Sequence, residues 1–446
     1  MNVAVNNTWW ICMLLAIPIV LMAGWARIEQ GSWFAPGAFF SLLWVMYAVG
    51  PLMLAPDLEV WPGALVMIWT ITLMVYVGTV TGLGQFGQAS HQVNMTSRNT
   101  WPARDRSNNA AVSLGHATMF CGILGCIAVV ALVQSGGYSI GDLLSTDAIA
   151  AMAQFFSTAR YAEEYRPPAI VQVFLVFMYA SALLGGSWFA CSTGTYSRVF
   201  ALFPFVPAML VTVVQTTRAP LLFQIVFWLS AYWGMKIFQD GPGRPFFTRK
   251  SIVFVPFAGC VLLLGFSMVL LVRYGLTLDS LIPVIGPRFI RGDVVGYLVA
   301  FGEWLRSGRH LDLAPSFGAI TFGGIFEILG IKKRVLGIHE DVTDLDLGEF
   351  STDTNIYTVF RGLIEDFTLP GTLAILFCIG FVGGTGYRMV ARRAVAGLPL
   401  LISFYWFALW SPIAAVTTYN TLIVAFFMFA IYVVFWVRPP HTPRSQ

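Results

Sequence analysis

Charged side chains are scarce in this chain. Only 11% of its 446 residues are Asp, Glu, Lys or Arg, and 57% are hydrophobic, whereas a soluble globular protein carries about 25% charged residues. Most of the chain therefore has no water to face. Apolar segments long enough to cross a bilayer recur from one end to the other, so we expect an all-α, polytopic integral membrane protein.

The usual motifs of metal and nucleotide sites are also missing. The six cysteines lie inside apolar segments without C-x-x-C spacing, which indicates packing residues. The sequence contains no Walker lysine loop, G-x-S-x-G elbow or H-E-x-x-H helix. Its net charge of +4 is too small and too scattered to indicate nucleic acid. We therefore expect no metal, no cofactor and no nucleic-acid partner.

Eleven apolar segments predict transmembrane helices. They divide the chain into a membrane bundle over 1–272, a large loop over 273–367 and a second bundle over 368–446. We expect these three parts to form one integrated domain. Residues 1–8 contain no Lys or Arg, unlike the start of a cleavable signal peptide, so the first segment is interpreted as a true span. The predicted spans are 9–25, 38–54, 63–83, 111–133, 169–191, 199–215, 221–238, 252–272, 369–387, 398–416 and 421–437.

The charges predict how the chain crosses the membrane. With the carboxyl terminus placed in the cytoplasm, the inside segments hold 14 of the 26 basic residues but only three of the 22 acids. Short loops rich in Arg and poor in acids mark the cytoplasmic side. The amino terminus and the large loop are then expected on the outside.

The large loop is the longest interval without membrane character. Within it, residues 294–309 predict an amphipathic helix, and 313–330 are apolar enough to lie in the membrane interface or dip into it. Residues 353–367 predict a helix with Asp353 or Thr354 as its N-cap. The loop also collects most of the acids and seven arginines, namely Arg273, Arg288, Arg291, Arg306, Arg309, Arg334 and Arg361.

Arginines near a membrane surface are candidates for binding a lipid diphosphate. Guanidinium groups bind phosphates bidentately and keep their charge when partly desolvated. Arg218 stands in the tight hairpin 216–220 between two barely spanning segments, and its alternative role is to snorkel to headgroups. Arg288 and Arg291 are further candidates, and the alternative for both is pairing with nearby acids such as Asp293.

A polar and aromatic run leads from the large loop into the next span. Tyr357, Arg361 and Glu365 fall on one helical face at i, i+4 spacing. The plain alternative is an exposed ion pair, worth roughly a few tenths of a kcal/mol. The position of the run directly over the mouth of a span favours a functional role, and Asn355 and Tyr357 are candidates to contact a sugar.

Two further groups of residues each have a plainer alternative. His310 and His339 are candidate general bases or phosphate ligands, although ordinary loop histidines would give the same pattern. Asp57 and Glu59 flank a turn and are candidates to hold a divalent metal. Two carboxylates near a turn are commonplace, however, so this pair is weak evidence for a metal site.

Two short stretches carry motifs. In 355–371 an Asn/Thr-rich aromatic run leads into Asp-Phe-Thr-Leu-Pro-Gly, and residues 216–218 read Thr-Thr-Arg. These stretches resemble the bacterial oligosaccharide repeat-unit polymerases, the Wzy-type polymerases of O-antigen, capsule and exopolysaccharide. That family shows Asp-Phe-Gly-x-x-Gly before a late span and a Gly-Thr-Arg turn, so Thr368 and Thr216 stand where it has glycine. The matching residues of the first motif are Asp366, Phe367 and Gly371.

The resemblance implies a GT-C-like fold and an inverting-type glycosyl transfer at the outer face of the bacterial inner membrane. The growing glycan would pass from its undecaprenyl diphosphate carrier to a newly flipped lipid-linked repeat unit, beside a chain-length regulator and a flippase. Glu365 and Asp366 are candidates for the base that takes the acceptor proton, although Asp366 is equally a candidate structural acid. Arg218 would stabilise the developing charge. The candidate diphosphate ligands are Arg218, Arg273, Arg288, Arg291 and Arg361.

Three other functions stay open. An O-antigen ligase of the same superfamily would depend on a histidine of the large loop, His310 or His339. A transporter or flippase of lipid-linked sugar would be expected to carry inverted repeats and ionisable groups within its spans, which are nearly free of charge here. A scaffold subunit of a polysaccharide export complex would not need the fork of the Arg218 side chain.

Overall fold

The computed structural model describes most of the chain. The predicted span 252–272 and the candidate residues Arg273, Arg288, Asn355 and His339 lie outside the described residues. The described residues are 8–84, 104–161, 167–242, 289–312, 314–331, 343–346, 351–354 and 356–436.

Helices dominate the fold. Within the described residues, eight helices are long and apolar enough to cross a membrane, and two shorter apolar helices accompany them. The expected all-α, polytopic membrane architecture is therefore confirmed. Two short strands, β1 (Thr343–Asp346) and β2 (Ser351–Thr354), pair as an antiparallel ribbon. The helices are α1 (Trp9–Gln30), α2 (Pro36–Leu54), α3 (Pro62–Leu83), α4 (Arg104–Ser135), α5 (Thr146–Tyr161), α6 (Ala169–Cys191), α7 (Thr195–Phe200), α8 (Phe205–Gln215), α9 (Ala219–Asp240), α10 (Gly296–Arg306), α11 (Arg309–Asp312), α12 (Gly323–Ile328), α13 (Val359–Ala391), α14 (Gly397–Trp410) and α15 (Asn420–Trp436).

Three predicted spans differ from the observed helices. The expected span 199–215 consists of α7 and α8, which are separated by a turn that ends at Pro204, a residue without an amide hydrogen to continue a helix. The helix expected over 398–416 is α14, which already ends at Trp410. The span expected over 369–387 is the membrane half of the longer α13, which enters from the large loop across a kink at Thr368.

The prediction for the start of α13 was wrong. Asp353 and Thr354 lie in β2 and pair with β1, so neither caps a helix. The threonines of this stretch are β-branched and favour an extended strand. The helix begins instead at Val359, after Thr358 in an extended conformation, and the Val359 amide donates to the carbonyl oxygen of Ser411 at 2.9 Å.

The amphipathic helix expected over 294–309 is confirmed in its central part. A π-helical turn (Phe289–Val295) leads into α10, which buries its apolar face. The Tyr297 hydroxyl donates to the Tyr47 carbonyl oxygen at 2.5 Å and fastens α10 to α2. Burial, with Tyr47 as a second cause, raises the pKa of Tyr297 well above its ordinary value, so this hydroxyl stays a donor.

The two ends of the helix bundle carry different charges. We call one the basic end, because six of the described basic residues lie where α1, α7, α9 and α13 have their termini. The Arg388 side chain lies beside Gly84 there. The Lys236 Nζ donates to the Ala190 carbonyl oxygen at 3.5 Å. The other end, which we call the loop end, carries α10 to α12 and the start of α13. The basic-end residues are Arg27, Arg198, Lys236, Arg388, Arg392 and Arg393.

Glycines allow α3 and α13 to approach closely. A Cβ atom added at Gly380 would lie 2.1 Å from the Val75 carbonyl oxygen, and one at Gly78 would lie 2.1 Å from that of Phe377. Gly384 sits against Thr79 in the same way. Small residues let membrane helices pack backbone against backbone. We call this contact the glycine seam, and it holds the membrane half of α13.

Candidate functional site

A buried arginine lies at the loop end, where α13 leaves the large loop. We define the Arg361 site as Arg361, Glu365, Tyr357 and Trp304. The side chains of Arg361 and Glu365 are only 5% and 9% exposed, and the Arg361 Nε lies 2.7 Å from the Glu365 Oε1. The i, i+4 spacing on the first turns of α13 brings these two side chains together. The predicted pair therefore exists, but it is buried and not exposed.

Two aromatic rings cover the guanidinium group of Arg361. Its Cζ lies 4.0 Å from the centre of the Tyr357 ring and 5.3 Å from that of Trp304. Aromatic faces attract a cation, most strongly when water is excluded. Tyr357 precedes α13, so it reaches Arg361 from the adjoining extended segment and not from the same helical face. Trp304 comes from α10, and no pattern in the sequence predicts this contact.

Burying this ion pair has a cost. Desolvation of two charges in a protein interior is offset only by close geometry, and a buried pair is weak evidence for stability. The Arg361 site therefore deserves a chemical explanation beyond packing.

Asp366 contacts a different part of the molecule. Its carboxylate is fully buried and accepts hydrogen bonds from the Ser316 hydroxyl, from the Ile320 amide at 3.1 Å and from the Thr321 amide at 2.6 Å. The Phe317 amide also donates to the Asp366 carbonyl oxygen at 3.0 Å. These contacts tie the loop segment 314–331 to α13, so the geometry fits the structural role that the sequence left open for Asp366.

Two threonines adopt backbone conformations that favour glycine. Thr368 has φ 58° and ψ 176°, a region that is essentially restricted to glycine. Thr216 closes α8 in the left-handed conformation, with φ 49° and ψ 36°. A β-branched residue with positive φ is an outlier that the surroundings must hold in place. These are the two positions at which the resembled family has glycine.

Arg218 lies in the hairpin between α8 and α9 and is half-buried. Phe223, just over one turn further along α9, stacks on Trp410 with ring centres 4.2 Å apart and contacts Tyr419 at 5.0 Å. Thr418, next to Tyr419, donates to the Ile320 carbonyl oxygen at 3.1 Å. A chain of contacts thus places the Arg218 hairpin at the loop end, together with the segment that Asp366 holds.

Arg291 and the turn between α2 and α3 form ion pairs. The Arg291 Nη2 lies 2.7 Å from the Asp57 Oδ2. Arg306 lies 3.4 Å from Glu59 and 2.8 Å from Glu303, in a more exposed position. The two acids considered for a metal therefore pair with arginines of the large loop. This geometry favours the ion-pair interpretation of Arg291, with Asp57 as a partner.

The structure does not test the roles of the remaining candidates. His310 lies in the short helix α11, but its side chain is outside the described part of the structure. Among the residues that the structure describes, no group of three or more His, Cys, Asp or Glu side chains gathers as metal ligands do. The expectation of a reaction without metal or cofactor stays a prediction.

Comparison with known proteins adds no relative. No family model matches the sequence, and neither the curated proteins nor the solved structures yield a match.

Proposed function

We propose that this protein is a glycosyltransferase that joins undecaprenyl-diphosphate-linked oligosaccharide repeat units into a polysaccharide. The reaction takes place at the periplasmic face of the bacterial inner membrane. The loop end then faces the periplasm and the basic end the cytoplasm, as positive-inside sorting favours. The amino terminus is periplasmic and the carboxyl terminus cytoplasmic.

The observation that carries this proposal is the backbone at Thr216 and Thr368. The motifs of the resembled polymerases have glycine at both positions, and this chain bends there with positive φ although it has threonine. Among the described residues other than glycine, positive φ occurs at these two positions and at Phe317 and Arg393, and it is uncommon outside glycine in general. The agreement between motif and backbone supports the resemblance at both of its sites, the Arg218 hairpin and the start of the membrane half of α13.

The proposed chemistry is a displacement at the anomeric carbon of the donor glycan. The bond from this carbon to the diphosphate oxygen breaks, and a bond to the acceptor hydroxyl oxygen forms. The hydroxyl proton passes to a carboxylate, and the electron pair leaves with the diphosphate. Since the diphosphate is already a good leaving group, the protein mainly has to stabilise its charge and orient two lipids.

The Arg361 site supplies groups for both tasks. Arg361, held on its Nε by Glu365, binds the donor diphosphate together with Arg218. Glu365 is assigned as the base, because Asp366 already accepts three hydrogen bonds from the 314–331 segment. Tyr357 and Asn355 contact the sugar. Arg273, Arg288 and Arg291 are further diphosphate ligands, and Arg291 must then exchange its partner Asp57 for phosphate.

Polymerisation by the purified protein tests the proposal. The full chain in nanodiscs is incubated with lipid-linked repeat units from the source strain, with and without a chelator, and the products are sized. We expect a ladder of polymer lengths under both conditions, no ladder from Arg361→Lys, and an undiminished ladder from the exposed control Arg306→Ala. Loss of the wild-type ladder in the chelator would overturn the metal-free mechanism.

A deletion strain separates the other functions. Loss of a polymerase leaves single repeats on the cell surface, whereas loss of a flippase leaves none. Unchanged polymer length in Arg218→Lys, at wild-type abundance, would favour a scaffold. Complete loss of activity in His310→Ala or His339→Ala would favour the ligase, because the proposed polymerase retains measurable chain extension in both variants.

A further inference from the structure

The segment 314–331 of the large loop is almost free of charge. Glu327 is its single ionisable residue, and the Asn420 side-chain amide donates to the Glu327 Oε2 at 3.0 Å. Several large apolar side chains of the segment nevertheless point away from the protein. Phe317 is 75% exposed, Leu329 64% and Ile331 66%. A surface of this kind is costly in water and marks a site of interaction.

Two sets of contacts determine where this segment lies along the axis of the helix bundle. At one end, the Ser316 and Phe317 amides donate to the carbonyl oxygens of Glu365 and Asp366. These acceptors lie within one turn of Thr368, where the membrane half of α13 begins. In the middle of the segment, a Cβ atom on Gly324 would lie 2.6 Å from the backbone nitrogen of Asn420, the first residue of α15.

The segment therefore lies level with the first turns of two apolar helices. Large apolar side chains are exposed on these helices as well, among them Leu369 on α13 and Phe427 on α15. Directly after Ile331 the sequence continues with two lysines and an arginine. Apolar side chains followed by a cluster of cations are typical of segments that bind the boundary between acyl chains and anionic headgroups.

We propose that the 314–331 segment docks in the leaflet at the loop end, with Phe317, Ile328, Leu329 and Ile331 inserted into its acyl chains. The occupant of this surface is bilayer lipid. Asp366, the residue next to Glu365, then connects the membrane-docked segment to α13. An apolar face of this size inserts roughly 5–10 Å below the headgroups. The inference concerns the lipid surface alone and stands whether or not the chain is a polymerase.

Fluorescence quenching tests the docking without any substrate. A fluorescent amino acid replaces Leu329 or Phe317 in the full chain, in nanodiscs of phosphatidylcholine and phosphatidylglycerol. We expect acyl chains brominated near their headgroup end to remove most of the emission at both positions, and aqueous iodide to remove little. The matched control is Ser307, an exposed polar residue at the end of α10, where iodide should quench and brominated lipid should not.

The wild-type chain provides a second measurement that needs no substitution. Photoreactive acyl chains should cross-link within 314–331, and peptide mapping locates the products. Quenching of the Leu329 and Phe317 probes by iodide to the extent seen at Ser307 would overturn the proposal. A probe shielded from both quenchers, with no lipid cross-link, would overturn it as well and indicate a second protein chain on this surface.

Discussion

The outer half of α13, residues 359–367, buries an ion pair, whereas its membrane half, residues 369–391, buries glycines. The outer half holds Arg361 against two aromatic rings of the large loop and against the acid Glu365. The membrane half packs its backbone directly against α3. The outer half thus contains a buried ion pair, whereas the membrane half contains a close backbone-to-backbone contact.

The kink at Thr368 separates these two modes of attachment. Backbone packing is insensitive to charge, so the membrane half forms a fixed platform. A buried ion pair depends on both partners, so a ligand that competes for either one can rearrange the outer half. We conclude that changes in the outer half alter chemistry and local structure, while changes in the glycine seam alter the bundle as a whole.

Removal of one partner of the ion pair should have the largest effect. Arg361→Met leaves the Glu365 carboxylate buried without its cation, which costs about 3–5 kcal/mol. The double variant Arg361→Met with Glu365→Leu should recover most of this stability, while polymerisation stays lost in both. Unfolding in mixed micelles measures the stability. A double variant as unstable as the single one would show that the stability lost in Arg361→Met does not come from leaving the Glu365 carboxylate unpaired.

Asp366→Asn should have the next largest effect. The new amide must present its NH₂ group to an amide hydrogen of Ile320 or Thr321, and the loss of hydrogen bonds to a charged acceptor costs about 1.5–3 kcal/mol. Hydrogen exchange at residues 316–322 should become faster, while exchange in residues 369–391 stays unchanged. Equal acceleration in both regions would mean that Asp366 supports the bundle and not only the loop segment.

Gly380→Ala tests the glycine seam. Its methyl group would lie 2.1 Å from the Val75 carbonyl oxygen, and separation of the helices should cost about 1–3 kcal/mol. Gly24→Ala in α1 is the matched control, because a Cβ atom there meets nothing within 4 Å. It should gain up to about 1 kcal/mol from helix propensity. Thermal unfolding in detergent compares the two, and equal melting temperatures would contradict the seam.

Thr368→Gly should have the smallest effect and the opposite sign. Glycine removes strain of about 1–3 kcal/mol at this φ and ψ but loses roughly 0.5–1 kcal/mol of backbone entropy. The melting temperature should therefore rise by the equivalent of about 1 kcal/mol. The control Thr372→Gly lies within regular helix and should lower it. A lower melting temperature in Thr368→Gly would mean that the kink depends on the threonine side chain.

Local patterns in the sequence predicted the helices well. Apolar runs determine which segments form membrane helices, and i, i+4 spacing placed Arg361 beside Glu365. The resemblance also identified Thr216 and Thr368 as positions where glycine is usual, which agrees with their positive φ.

Contacts between distant parts of the chain were not predictable in this way. Trp304 reaches Arg361 from another helix, and Asp57 pairs with Arg291 across more than half of the sequence. The Arg361–Glu365 pair is buried and not exposed, because burial depends on which residues of the large loop cover it. Asp366 could be assigned to the loop segment only when the Ile320 and Thr321 amides were seen beside it.

The glycine seam also constrains how the protein is made. Its two faces, around Gly78 and Gly380, are separated by about 300 residues of chain. Since the ribosome adds roughly 5–20 residues per second, the face around Gly380 is synthesised about 15–60 s after the face around Gly78. During that interval the α3 face has no partner. A nascent chain therefore has to be shielded from premature association by lipid, by neighbouring helices or by the insertion machinery until the late helix arrives.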